Sequence, residues 1–128
     1  MTEINIFISV GELFDRYSIL LIKQKKILNK DKLEYIKREI DSLQKYVKIY
    51  DIDNNNSFKQ ILEINSNLWN IEDKIRIKEQ NLQFDAEFIE LARNVYKFND
   101  KRANIKLNIN KEFNSYYREI KEYINLHN

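Results

Sequence analysis

Several charged and amide side chains fall where their helices should be apolar, and these are the residues best placed to do chemistry. At about 100° per residue, Phe58, Ile61, Leu62, Leu68, Trp69 and Ile75 share one helical arc. Asn65, Glu72, Arg76 and Glu79 fall inside that same arc. Further along, Phe88, Leu91, Val95, Phe98, Ile105 and Ile109 make an apolar face; Arg102 points to its middle, and Asn99 and Lys106 flank it. Near the N-terminus, Glu12, Arg16 and Lys23 form a stripe with Ile19, beside a main face of Leu13, Tyr17, Leu20 and Ile27.

A buried charge costs several kcal/mol unless it is paired and hydrogen-bonded. These groups must therefore meet one another, reach water along their own stems, or line a cavity. The first outcome is an ion-pair network, for instance Glu72 or Glu79 with Arg102. The last is a polar pocket between the first, third and fourth helices. Its inventory would be three acids (Glu12, Glu72, Glu79) and five bases (Arg16, Lys23, Arg76, Arg102, Lys106). Arg suits bidentate contact with carboxylate or phosphate, so a small anionic or phosphorylated ligand fits better than a cation. In that reading Arg76, Arg102 and Lys106 contact the anion, with Asn99, Lys23 and Arg16 around it. Glu72 and Glu79 orient the bases, and Glu12, in the first turn of its helix, satisfies backbone donors. Trp69 and Tyr96 could stack a ring, but aromatics on such arcs are more often core.

The elements that must position these groups are helices. Pro is absent and Gly occurs once, at Gly11, so little interrupts helical runs. Ser9-Val10-Gly11-Glu12 is a capping box that opens a helix to about Lys30. A second helix opens at Asp31 with a stripe of Leu33, Ile36, Ile40, Leu43, Val47 and Tyr50. Residues 51–56 (DIDNNN) form the strongest loop signal, and Ser57 opens a third helix to about Gln80. Asp85 caps a fourth, to about Asn110. Asn114 or Ser115 starts a short fifth helix bearing Tyr117, Ile120 and Ile124. The segment Ile4–Ile8 is β-prone, without a partner strand in the chain; it either lies along the bundle as extended coil or pairs with its copy in a homodimer. The expectation is one all-α domain over residues 1–128: an antiparallel bundle of about five helices, with residues 1–8 extended.

Composition narrows the functions. Without Cys there is no disulfide frame, thiolate nucleophile or zinc finger. The single His, His127, sits beside the last residue, which removes His-based triads and metal sites. Lys and Arg number 22 against 20 Asp and Glu, too even a balance for a nucleic-acid or membrane field. No apolar run approaches the roughly 18 residues of a membrane span, and the N-terminus lacks a signal-peptide pattern. A cytoplasmic protein is expected, with no metal and no cofactor.

The motifs Gly11-Glu12-Leu13-x-Asp15, Leu68-Trp69-x-Ile71-Glu72-Asp73-x-Ile75-Arg76-x-Lys78-Glu79, Phe88-Ile89-Glu90-Leu91-Ala92-Arg93-x-Val95-Tyr96 and Asn99-Asp100-x-Arg102-Ala103 together resemble a small bacterial and phage family of helical proteins of unknown function. The resemblance spans most of the chain except the loop and the second helix. It implies a stand-alone helical protein, some relatives lying in surface-polysaccharide or nucleotide-sugar gene settings, and brings no assigned activity. Such proteins usually end with a Gly-Ser and a Glu-x-Lys-Ser-Tyr tail. Here Asn114 replaces the Gly, and Ser115 with Glu119-Ile120-Lys121-Glu122-Tyr123 is a loose match, so no role carries over to the tail. Glu12, Glu72, Arg76, Glu79, Asn99 and Arg102, with Lys23 and Lys106 in the adjoining stretches Ile22-Lys23 and Asn104-Ile105-Lys106 that share the resemblance, also belong to the periodicity anomaly.

The leading reading is a non-catalytic helical module that binds an anionic metabolite or a partner protein, with no nucleic acid and no membrane. The alternative is a small all-α enzyme acting on a nucleotide or a dicarboxylate. Helical nucleotide pyrophosphohydrolases pair E-x-x-E with E-x-x-D to hold Mg²⁺; Glu87-x-x-Glu90 is present, but no E-x-x-D follows at a suitable distance. Chorismate-mutase-like dimers clamp a dicarboxylate with bases, as Arg16, Lys23, Arg76 and Arg102 could.

Overall fold

Helices begin where short polar side chains can accept from free backbone amides. In the computed structural model, which describes residues 1–122 and 124, Ser9 accepts from the Glu12 amide and opens α1, Val10–Lys26. Asn29 caps α2, Lys30–Ile49. Asn55 caps α3, Asn56–Gln80, and Asp85 caps α4, Ala86–Glu112. Three of the four caps accept at 3.0 Å from the amide three residues on, and that of Ser9 at 2.9 Å. The loop expected at residues 51–56 contains Asp51 in the left-handed region and a single 3-10 turn, Ile52–Asn54, whose Ile52 is fully buried.

The chain is all-helical, with four α-helices among the described residues rather than five. Among the described residues the helix expected after Asn114 does not form. Asn114 adopts a positive φ of 48°, and the Ser115 amide donates back to the Asn110 carbonyl at 2.8 Å. That six-to-one bond closes α4 and turns the chain away, so Ser115 to Glu122 runs as non-helical chain past the start of α1. Residues 1–8 form no strand. Tyr123 and His127 lie outside the described residues.

α3 and α4 are an antiparallel pair: Lys78 bonds Asp85 at 2.8 Å and Glu87 at 3.1 Å at one end, and Asn55 donates to Glu112 at 3.1 Å at the other. α1 lies in their groove, parallel to α3 and antiparallel to α4, with α2 folded back on α1 through the three residues 27–29. Phe14 is fully buried between Phe58 and Phe113, Tyr17 stacks on Phe58 at 5.3 Å between centroids, and Ile61 and Ile109 are fully buried beside them. Each such side chain contributes about 1.5–3 kcal/mol of transfer free energy. The Tyr17 hydroxyl donates to Asp53 at 2.9 Å; burial first, then that carboxylate, push its pKa up to about 12. α1 is shorter than its two neighbours, so the far halves of α3 and α4 project beyond it as a bare hairpin, and no residue from Trp69 to Arg102 is buried. Among the described residues no helix is long and apolar enough to cross a membrane.

Candidate functional site

The site begins with the one glycine. A Cβ on Gly11 would lie 2.6 Å from the Lys106 carbonyl oxygen and 2.9 Å from Asn110 Oδ1. Only glycine lets α1 come this close to α4, and the Gly11 amide donates to Asn110 Oδ1 at 2.7 Å. One turn further, the close approach presses Asp15 into the interior, where it is 2% exposed. Arg102 meets it with a two-point fork, Nε to Oδ1 at 2.9 Å and Nη2 to Oδ2 at 2.5 Å. Asn65 gives the carboxylate its third donor, to Oδ1 at 2.8 Å, and also bonds Ser18 Oγ at 2.7 Å, while Ser18 donates to the Asp15 carbonyl at 2.6 Å. Among the described residues no buried side-chain nitrogen or oxygen lacks a partner. A buried carboxylate is tolerated only on such terms. The hydrogen bond to Asp15, set against partial burial, raises the Arg102 pKa further.

A second layer lies toward the N-terminus of α1. Lys106 bonds Glu12 at 2.7 Å and stands 3.8 Å from both Asp15 and Glu119. Glu119 comes from the non-helical C-terminal segment. It accepts from Ser9 Oγ and, at 2.7 Å, from Asn110 Nδ2. Ser115 Oγ accepts from the Val10 amide at 3.1 Å. Burial pushes the Glu119 carboxyl up, but bonds from Ser9 and Asn110 and the Lys106 charge outweigh it and hold the acid below the usual Glu range. The segment after Ser115 is thus tied to the helix start by charge-assisted bonds.

Beside the pair, a cleft of about 260 Å³ is lined by Glu12, Asp15, Arg16, Ile19, Leu20, Lys23, Glu39 and Arg102. It lies between α1, α2 and α4, and not between the first, third and fourth helices as the periodicity suggested. Arg16 is exposed and, among the described residues, pairs only with Glu12, at 3.5 Å. Lys23 is half-buried and forms no ion pair among the described residues. Arg102 lends Asp15 its Nε and Nη2, so Nη1 is outside that fork.

The structure brings together Glu12, Arg16, Lys23, Arg102 and Lys106 of the residues singled out from the sequence, with Asn99 half-buried one turn before Arg102. It does not bring in Glu72, Arg76 and Glu79, which are exposed on α3 beyond the end of α1. The expected pairing of Arg102 with Glu72 or Glu79 is corrected to Asp15; Glu72 adds only a longer-range attraction. Glu12 was expected to satisfy backbone donors; among the described residues its carboxylate instead holds Lys106 and, at 3.5 Å, Arg16. Glu87 and Glu90 sit on the hairpin, Glu87 beside Lys78 and Glu90 3.7 Å from Arg93.

Sequence reasoning missed Asp15, Glu39, Ser115 and Glu119. A signal for Asp15 existed. α1 carries Leu13, Phe14, Tyr17, Leu20, Leu21 and Ile22 on most of its circumference, the mark of a helix packed on several sides, and Asp15 falls between Ile19 and Ile22 on that wheel. Asn65, marked as an anomaly, is buried against it. No such signal marks Ser115 and Glu119, whose bonds to Val10 and Ser9 span about a hundred residues of chain.

No curated protein and no solved structure gives a significant match to the chain. A family model, by contrast, matches residues 4–126, so the chain belongs to DUF6165, a family of unknown function.

Proposed function

We propose that this protein is a non-catalytic helical module that holds an anionic group, a carboxylate or phosphate, in the cleft between α1, α2 and α4. One observation carries the reading: Lys23 lines that cleft half-buried and without an ionic partner among the described residues. Arg16 stands beside it with one long contact, and Asp15 fixes the plane of the Arg102 guanidinium at the same wall. A fork held in place before binding loses little freedom on meeting a carboxylate or phosphate. Lys106, engaged by carboxylates on three sides, belongs to the frame rather than to the ligand.

Thermal-shift titration with inorganic phosphate, citrate, nucleotides and sugar nucleotides tests this. At a hundredfold excess over Kd a ligand adds roughly 2.7 kcal/mol to stability, several degrees in Tm. The expected result is a shift for at least one anion that Lys23→Ala removes and Arg76→Ala leaves intact. No shift with free anions, together with binding of an acidic or phosphorylated peptide lost in Lys23→Ala, assigns the anion to a partner protein. No binding in either arm, or binding indifferent to Lys23, refutes the cleft.

A further inference from the structure

The face of α3 and α4 that covers α1 does not stop where α1 stops. On α3 it starts at Asn65, which touches Asp15, and continues in steps of four and three through Trp69, Glu72, Arg76 and Glu79. On α4 it runs back from Lys106 and Arg102, which touch Glu12 and Asp15, through Asn99, Val95, Ala92 and Phe88. Such steps keep side chains on one side of a helix. Past the end of α1 this side is uncovered: Glu72, Arg76, Glu79 and Ala92 are exposed, and Trp69, Phe88, Val95 and Asn99 only half-buried.

From the distal hairpin face we infer that a second copy of this chain packs there, so that two hairpins form a four-helix contact about a two-fold axis. Three features favour that occupant. Within the chain, Arg76 and Glu79 form no ion pair among the described residues. In a copy running the opposite way, Arg76 faces Glu72 or Glu79 of its partner, and the partner's acids face Arg76 in return. A two-fold axis that passes midway between Arg76 and one of these acids makes the pairing reciprocal, which is what an isologous interface requires. Residues 69–102 carry seven Asp and Glu against seven Lys and Arg, so two hairpins meet without net repulsion, whereas a polyanion or an anionic surface finds no excess charge to bind. Finally, the hairpin exposes Ile77, Leu82, Phe84 and Ile89 near its tip, apolar surface beside that stripe of the kind found at protein interfaces.

Sedimentation equilibrium of the full chain at about 100 μM, a concentration that fills a micromolar dimer, is the test. The wild type is expected to be dimeric. Arg76→Glu makes the stripe wholly acidic, Glu72→Arg with Glu79→Arg makes it wholly basic, and each variant alone should dissociate at least about a hundredfold more readily. Mixed in equal amounts, the two variants should restore the dimer. All of these side chains are exposed, and circular dichroism confirms that each variant is folded. A monomeric wild type, a dimer indifferent to both variants, or a mixture that stays monomeric overturns the proposal.

Discussion

α3 and α4 are each half core and half bare, and the two halves differ mainly in what lies between them. In the near half, α1 fills the groove; Phe58, Ile61, Asn65 and Leu68 on α3 and Ala103, Ile109 and Asn110 on α4 are buried. In the far half nothing fills it, and the same helical side carries Glu72, Arg76 and Glu79 in water. Arg102 and Arg76 occupy equivalent positions on that side. One is forked to a buried aspartate and the other forms no ion pair among the described residues. A charged residue on a core-facing arc therefore says little until the length of the covering helix is known.

The largest effect that separates the halves should come from Asp15→Ala. It leaves Arg102 and Asn65 without their acceptor, and denaturant unfolding should show a loss of about 3–5 kcal/mol. Replacing the pair together, as Asp15→Leu with Arg102→Met, should recover most of that loss, because an apolar pair carries no desolvation penalty. Gly11→Ala comes next. Its methyl would press on the Lys106 carbonyl, backbone that cannot rotate away, and overpacking of this kind costs about 1–3 kcal/mol.

A smaller effect is expected from Glu119. Its folded-state carboxyl titrates below the ordinary Glu value, so its contribution is complete above the unfolded value of about 4.3 and disappears as the pH falls through the lower, folded value. Acid titration of wild type against Glu119→Gln should show the two stability curves converging at low pH, with hydrogen exchange at residues 115–122 rising first. Curves that stay parallel would place the attachment of that segment elsewhere. The smallest effect belongs to the far half: in the dilute monomer, Arg76→Ala should change stability by no more than about 0.5 kcal/mol.

Much of this architecture was legible in the residues. Ser9 and Asp85 announce their helices through cap chemistry that needs only local backbone. The helical class follows from periodicity and the lack of Pro. Arg102 was marked by its angle, and Asn65 with it. The partner of Arg102 was not, because the main apolar face of α1 (Leu13, Tyr17, Leu20, Ile27) leaves Asp15 outside it, and only the further apolar residues Phe14, Leu21 and Ile22 show that this helix is packed on several sides. Glu72, Arg76 and Glu79 were placed in the interior because a helical wheel has no length. It assigns one face to all 25 residues of α3, while the 17 residues of α1 cover only part of it. The expected fifth helix failed for a related reason. Tyr117, Ile120 and Ile124 have helical spacing, but Ser115 and Glu119 find better partners in Val10, Ser9 and Asn110, and tertiary hydrogen bonds outrank a short, marginal helix.

Native-state hydrogen exchange on the dilute monomer tests the contrast between the halves most directly, since it reads the opening energy along α3 and α4 residue by residue. Amides of α1, of residues 58–68 and of residues 103–112 should exchange only through global unfolding, and all should lose protection together in Asp15→Ala. Amides of residues 71–95 should open at a lower energy and hardly respond to that substitution. Protection that is uniform from one end of α3 to the other, and falls uniformly in Asp15→Ala, would contradict the account.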